Sequence, residues 1–99
     1  MAELDEQSKS YFQIPPTKDN PTKVVLCNQG FDLDSIMLIT EVAMISKLSY
    51  VFFVHIGYSN DFKLEFEFER KLDAMQCQRE LTRAWSGTGE FQQIRNNHV

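Results

Sequence analysis

The glutamates of the segment FKLEFEFE, residues 62–69, come nearest in type and spacing to a reactive pair. Glu65, Glu67 and Glu69 alternate with apolar residues, so on a strand they share one face, with neighbours about 6.5–7 Å apart. Two carboxylates at that separation could share a proton or a divalent cation. No histidine or asparagine cluster and no glycine-rich loop accompanies them, so we interpret them as the charged outer face of an edge strand.

The other candidate base is His55. In a hairpin that places Val54 beside Leu64, His55 lies on the acidic face near Lys63 or Glu65, whereas a one-residue change of register moves it into the core. A histidine beside a carboxylate could act as a general base. No serine, cysteine or second histidine is placed to work with it. We therefore predict that the chain is not an enzyme and needs no cofactor.

Two arginines of a predicted helix are the candidate anion ligands. Arg79 and Arg83 are four residues apart, so they share a helix face and could hold a phosphate or carboxylate together. Trp85 and Tyr58 could stack on a base, and His55 could add a contact. An equally simple interpretation is that the arginines are solvated and pair with acidic neighbours on the helix.

Cys27 and Cys77 are far apart in the sequence, and neither belongs to a C-x-x-C motif. No histidine gives either cysteine the spacing of a metal site, so we predict no bound metal. Free cysteines are often buried, and the simplest interpretation is two reduced thiols in a cytosolic protein. The alternative interpretation is a disulfide between Cys27 and Cys77.

The composition indicates one small, folded, acidic domain. The chain has 99 residues, 42% of them hydrophobic, with a net charge of −4 and a pI near 5.0. A negative chain has no overall attraction to a phosphate backbone or an anionic membrane. The N-terminal segment is polar and acidic, unlike a signal peptide, and no apolar run reaches the roughly 18 residues of a membrane span. We expect a cytoplasmic protein that does not bind nucleic acid or membranes.

Three regions follow from the pattern of prolines and apolar residues. Residues 1–22 form a polar arm that contains three prolines, residues 23–86 form one domain, and residues 87–99 form a tail. Within the arm, Tyr11 and Phe12 are unusually large and apolar for a solvated segment. They are expected to dock on the domain, on a second subunit or on a partner.

Apolar and β-branched runs predict strands over residues 23–28, 49–57 and 62–69. Residues 32–47 fit a helix or a strand; we prefer the strand, because a helix of this composition would be apolar on nearly every side. Apolar residues at three- and four-residue spacing predict a helix over 71–85. The predicted fold is α+β, a small antiparallel meander of three or four strands packed on one C-terminal amphipathic helix.

One feature of the predicted sheet favours self-association: its central strand is apolar on both faces, and one short helix covers only one of them. Large exposed apolar patches are unusual on monomers, so a homo-oligomer, most simply a dimer, is expected to cover the other face. The alternative is a monomer whose arm folds over its own sheet. The predicted interface residues are Val51, Phe53, Met37, Ile39, Tyr11 and Phe12.

Three functions are compatible with these features. The first is a non-enzymatic interaction module that self-associates through its sheet face and arm, and that could also bind a partner protein. The second is a protein that binds or sequesters a small anionic or nucleotide-like metabolite in pockets between subunits. The third, disfavoured by the acidic charge, is a nucleic-acid binder that uses strand aromatics as a stacking platform.

Overall fold

The computed structural model describes residues 10–57 and 62–94 and has an α+β architecture. Within the described residues, two antiparallel sheets pack with one long helix, α1, which spans Lys71–Ser86. Sheet A contains β1 (Phe12–Ile14), β2 (Lys23–Leu26) and β3 (Gln29–Asp32). Sheet B contains β4 (Ile36–Ile39), β5 (Ala43–Ser46), β6 (Ser49–Ile56) and β7 (Lys63–Phe68). The predicted fold class is confirmed.

β2 and β3 form a tight hairpin in sheet A. Leu26 pairs with Gln29, which leaves Cys27 and Asn28 as a two-residue turn. Both turn residues have positive φ, 51° at Cys27 and 66° at Asn28, as a type I′ turn requires. The strand predicted over residues 23–28 therefore ends at Leu26, and the chain reverses into β3, for which the sequence pattern gave no signal.

β6 is the central strand of sheet B, since it has partners on both edges. β7 pairs with residues 50–55 of β6 along one edge. β4 and β5 pair with the two ends of β6, so they follow one another along its other edge. Between them, the Thr40 N–H donates to the carbonyl of Phe53 at 2.9 Å. The Thr40 Oγ1 accepts a hydrogen bond from the Phe53 N–H at 2.7 Å, which keeps the irregular segment attached.

The preference for strand over helix in residues 32–47 is confirmed. The segment forms β4 and β5, preceded by a single 3₁₀ turn at Leu33–Ser35. The pairing with β6 shifts register between Ile36 and Leu38. Such a bulge adds one residue to a strand, so the residues after it lie on the opposite face from the one that regular alternation predicts.

Helix α1 confirms the prediction for residues 71–85. Its buried face is a stripe at helical spacing that contains Ala74, Cys77, Glu80, Leu81 and Ala84. The helix ends at Gly87, which adopts the left-handed conformation with φ 72° and donates its N–H to the carbonyl of Arg83 at 2.8 Å. Glycine reaches that conformation without the steric cost that a Cβ brings.

The core lies between α1 and the inner faces of both sheets. Phe52 of β6 and Phe66 of β7 are cross-strand partners whose rings stack with centroids 5.1 Å apart. Phe31 of sheet A meets Phe66 edge-on at 6.2 Å, so one ring joins the two sheets. Burying a side chain of this size stabilises the fold by roughly 1.5–3 kcal/mol. Phe66 thus lies on the side of β7 that faces the helix, and Glu65 and Glu67 are exposed, as the alternation of residues 62–69 predicts.

The described part of the arm contributes to this core. Phe12 lies in β1, is only 7% exposed and meets Phe91 edge-on at 6.0 Å. β1 pairs with β2 and completes sheet A. The boundary drawn at residue 22 thus does not separate an arm from the domain for residues 10–22. The prolines that suggested a loose segment lie after β1, in the connection to β2.

Candidate interaction surface

The face of sheet B turned away from α1 carries two of the predicted interface residues. Val51 lies opposite Glu67 of β7 and is only 2% exposed, so it offers almost no surface to a partner. Phe53 is half-buried, and the Lys63 ammonium sits 4.4 Å from the centre of its ring. A cation over an aromatic face is attractive, and the lysine stem covers apolar surface. Charged side chains of β7 therefore cover part of the face that was expected to need a second subunit.

The glutamates of β7 also act within this face. The Ser49 hydroxyl donates a hydrogen bond to the Glu67 carboxylate, which holds that side chain across the end of β6. Glu65 stands opposite Phe53. The described chain brings no group of three or more histidine, cysteine, aspartate or glutamate side chains together as a metal site. The interpretation of these carboxylates as a charged outer face agrees with this geometry.

The two interface residues predicted on β4 separate in the structure. Met37 is about half exposed, at the register shift of β4. Ile39 lies opposite Val54, whose side chain is fully buried in the core, and it packs against that core. Ile39 therefore belongs to the helix side of the sheet rather than to the face of Phe53, because the bulge reverses the alternation that the sequence implied.

Tyr11 is anchored to α1 rather than free for a partner. Its hydroxyl donates to the Asp73 Oδ1, 3.1 Å away, and the Gln76 Oε1 lies at the same distance. Its ring meets Phe68 edge-on at 6.2 Å. Burial and the hydrogen bond to Asp73 raise the pKa of Tyr11 to about 12. With Phe12 in the core, the predicted arm contacts are contacts within one chain.

β4 and β5 form an outer edge of sheet B, and the most exposed large apolar side chains of the described chain lie in β5 and the turn after it. All four residues of β5 are exposed, including Met44 at 65% and Ile45 at 58%, and Leu48 in the following turn is 73% exposed. β6 lies on the inner side of these strands, and no described strand pairs with their outer side. Backbone N–H and C=O groups along such an edge are open to another strand.

The sequence pattern contained this edge but did not identify it. Alternation places Met44 and Ile45 on opposite faces of a strand, but it does not show whether that strand lies at the edge of a sheet. Two features of the sequence could have identified the edge. The strand has large apolar residues on both sides, and a two-residue turn connects it to the central strand.

The predicted anion contacts do not converge. Arg83 pairs with Glu90, with Nε to Oε1 at 3.1 Å and Nη2 to Oε2 at 3.2 Å, and this bond lowers the pKa of Glu90. Its guanidinium is thus engaged within the chain. Trp85 packs against the core, and His55 lies opposite Lys63 on the far side of sheet B. Tyr58 lies outside the described residues.

Arg79 lines a shallow groove of about 200 Å³ between α1 and the β4–β5 connection. Lys71 adds a second cation, and Glu41 places a carboxylate on the same groove. The carboxylate offsets part of the positive charge that an anion would need. A larger groove of about 440 Å³ lies over sheet A, where Gly30 has no side chain. Its charged lining residues, Lys23 and Asp32, are cross-strand partners and offset each other.

None of the helices in the described part of the chain is long and apolar enough to cross a membrane. No protein-family model matches the chain, and neither a curated protein nor a solved structure matches it.

Proposed function

We propose that the chain is a non-enzymatic interaction module that self-associates by pairing the exposed edge of β5 with the same edge of a second copy. The observation that carries the proposal is an edge strand whose four residues are all exposed, Met44 and Ile45 among them. Exposed apolar edge strands drive strand addition, and soluble monomers usually protect them with charge, proline or a covering loop. We place the assembly in the cytoplasm, where thiols such as those of Cys27 and Cys77 stay reduced.

Backbone pairing supplies the attraction. In strand addition, main-chain N–H and C=O groups of the two edges bind each other, and alternate side chains give specificity. Two copies of one edge can do this around a two-fold axis, because an antiparallel pair of identical strands is self-complementary. Sheet B of one copy would continue into sheet B of the next. The paired Met44 and Ile45 side chains would leave water at the same time.

Symmetry and charge select a register. A two-fold axis perpendicular to the sheet places one residue opposite its own copy, because directly opposed side chains share a face. With Met44 on the axis, a pairing that extends two residues before Ala43 and one residue after Ser46 would set Glu41 of each copy opposite Lys47 of the other, since both lie three residues from Met44. With Ala43 or Ile45 on the axis, both charges oppose uncharged residues. Glu41 and Lys47 are both exposed, so the first register adds two ion pairs.

A domain this small would gain useful stability from self-association. A chain of about this length buries only around 60–65% of its unfolded surface, so its stability alone is modest. Association that requires the folded state adds stability by mass action. A dimer formed through β5 would also leave the groove over sheet A of each copy accessible for further partners.

The test compares two lysine substitutions by sedimentation velocity. Ile45→Lys puts a charge into the proposed contact, and we expect it to shift the wild-type dimer to a monomer. Leu72→Lys is the matched control, because Leu72 is 55% exposed on α1 and lies away from the edge. We expect it to sediment as the wild type does. A dimer that survives Ile45→Lys with a native circular dichroism spectrum contradicts the proposal.

A further inference from the structure

The strongest chemistry in the structure outside the proposed interface is a pair of thiols. The Sγ atoms of Cys27 and Cys77 lie 4.0 Å apart although 50 residues separate them in sequence. Cys27 sits in the turn between β2 and β3, and Cys77 sits on the buried face of α1. Both are free thiols. A disulfide has its sulfurs about 2.05 Å apart, so a small local movement separates the two states.

The backbone at Cys27 adds a second, independent observation. Its φ of 51° places a non-glycine residue in the left-handed region. Type I′ turns favour asparagine, aspartate and glycine at this position, and other residues adopt such angles infrequently. A cysteine here therefore works against the local preference of the turn. Backbone outliers of this kind concentrate at functional sites.

The two thiols differ in the way that a reactive pair requires. Cys27 is half-buried and reachable from solvent, whereas Cys77 is fully buried. The hydrogen bond between the two thiols lowers the pKa of Cys27, while that same bond and burial raise the pKa of Cys77. The thiolate is the nucleophile and the form that oxidants attack. The exposed member of the pair is thus the one that reacts first.

We propose that Cys27 and Cys77 form a thiol–disulfide pair in which Cys27 is oxidised by a hydroperoxide and Cys77 resolves it. The Cys27 thiolate attacks one peroxide oxygen, the O–O bond breaks, and a sulfenic acid and hydroxide result. The Cys77 sulfur then attacks the Cys27 sulfur, the S–O bond breaks, and hydroxide leaves with the Cys77 proton as water. Two thiols and one hydrogen peroxide give one disulfide and two waters.

The disulfide would attach the β2–β3 turn to the middle of α1. It would close a loop that contains all of sheet B, and cross-links that close long loops restrict the unfolded chain. The bond would stabilise the domain under oxidising conditions, and thiols would reverse it. This inference concerns the interior of one chain and is independent of the proposed self-association.

The test treats the folded full-length protein with hydrogen peroxide and counts free thiols. We expect the titre to fall from two per chain to none, with a peptide cross-link between the segments of Cys27 and Cys77 and no cross-linked dimer on a non-reducing gel. Dithiothreitol should restore both thiols. Titration under denaturing conditions, after excess peroxide is removed, makes the buried thiol countable.

Two variants separate a resolving pair from ordinary oxidation. In Cys77→Ser, Cys27 should accumulate as a sulfenic acid that dimedone traps, whereas the wild type should give little adduct. In Cys27→Ser, the buried Cys77 should keep its thiol. The proposal is overturned if oxidised wild-type protein carries Cys27 adducts with Cys77 still free. It is also overturned if the cross-link forms only after unfolding in urea.

Discussion

The backbone N–H of Tyr11 donates a hydrogen bond to the carboxylate of Glu80 on α1, at a distance of 2.8 Å. The Ser10 hydroxyl donates to the same carboxylate at 2.6 Å. Glu80 is buried, and these two bonds provide the partners that a buried carboxylate needs. Ser10 and Tyr11, where the described part of the chain begins, are therefore bound to the helix.

Replacing Glu80 tests this anchor. Glu80→Ala leaves the Tyr11 amide without its acceptor, and we expect the free energy of unfolding to fall by about 1–3 kcal/mol. Glu80→Gln keeps one acceptor oxygen and should cost less. Urea denaturation measures both, with the exposed Glu69→Ala as control. A Glu80→Ala variant as stable as the control would show that the arm contributes nothing.

Phe12→Ala tests whether β1 belongs to the core. Removing a buried phenylalanine should cost about 3–5 kcal/mol, from lost burial and from the cavity left behind. Ile14→Ala is the matched control on the same strand, because Ile14 is 51% exposed and exposed substitutions usually stay within about 0.5 kcal/mol. Equal midpoints for the two variants in urea would mean that the arm does not pack as described.

Tyr11 gives the stability a dependence on alkaline pH. Its pKa is raised from 10.0 to about 12 in the folded state, so the unfolded chain loses the phenol proton first. The contribution of Tyr11 is complete below about pH 10 and is lost as the pH rises towards about 12. Tyr11→Phe should be less stable than the wild type near neutrality, and this gap should narrow above about pH 10. A gap in urea midpoint that is constant with pH would contradict this.

A charge exchange tests the register of the proposed dimer. Glu41→Lys and Lys47→Glu each place like charges opposite one another, and we expect either to weaken the dimer about three- to thirtyfold, more at low salt. The double variant restores opposite charges and should recover the wild-type dissociation constant. If neither single variant changes that constant, the register is wrong, although edge pairing itself can stand.

The strongest local patterns predicted the elements that the structure contains. The alternation of FKLEFEFE predicts the inner face of β7, and the apolar stripe from Ala74 to Trp85 predicts the buried face of α1. Both patterns are informative because periods of two and 3.6 are geometric properties of strand and helix. The β6–β7 pairing, with Val54 opposite Leu64, also agrees with the proposed hairpin and places His55 beside Lys63.

Other features had no comparable local signal. β1 and β3 are three and four residues long, and strands this short carry too few residues for an alternation to stand out. The bulge near Met37 depends on pairing with β6, so the faces of Met37 and Ile39 could not be read from spacing. The meeting of Cys27 with Cys77 is a tertiary contact between a turn and a helix.

Sedimentation equilibrium of the wild-type chain over a range of concentrations tests the central proposal most directly. The edge of β5 predicts a reversible dimer, with a mass that rises towards twice the 11.6 kDa of one chain. Met44→Lys should keep the mass of a single chain under the same conditions. A wild-type mass of 11.6 kDa at every concentration would contradict the proposal that this edge joins two copies.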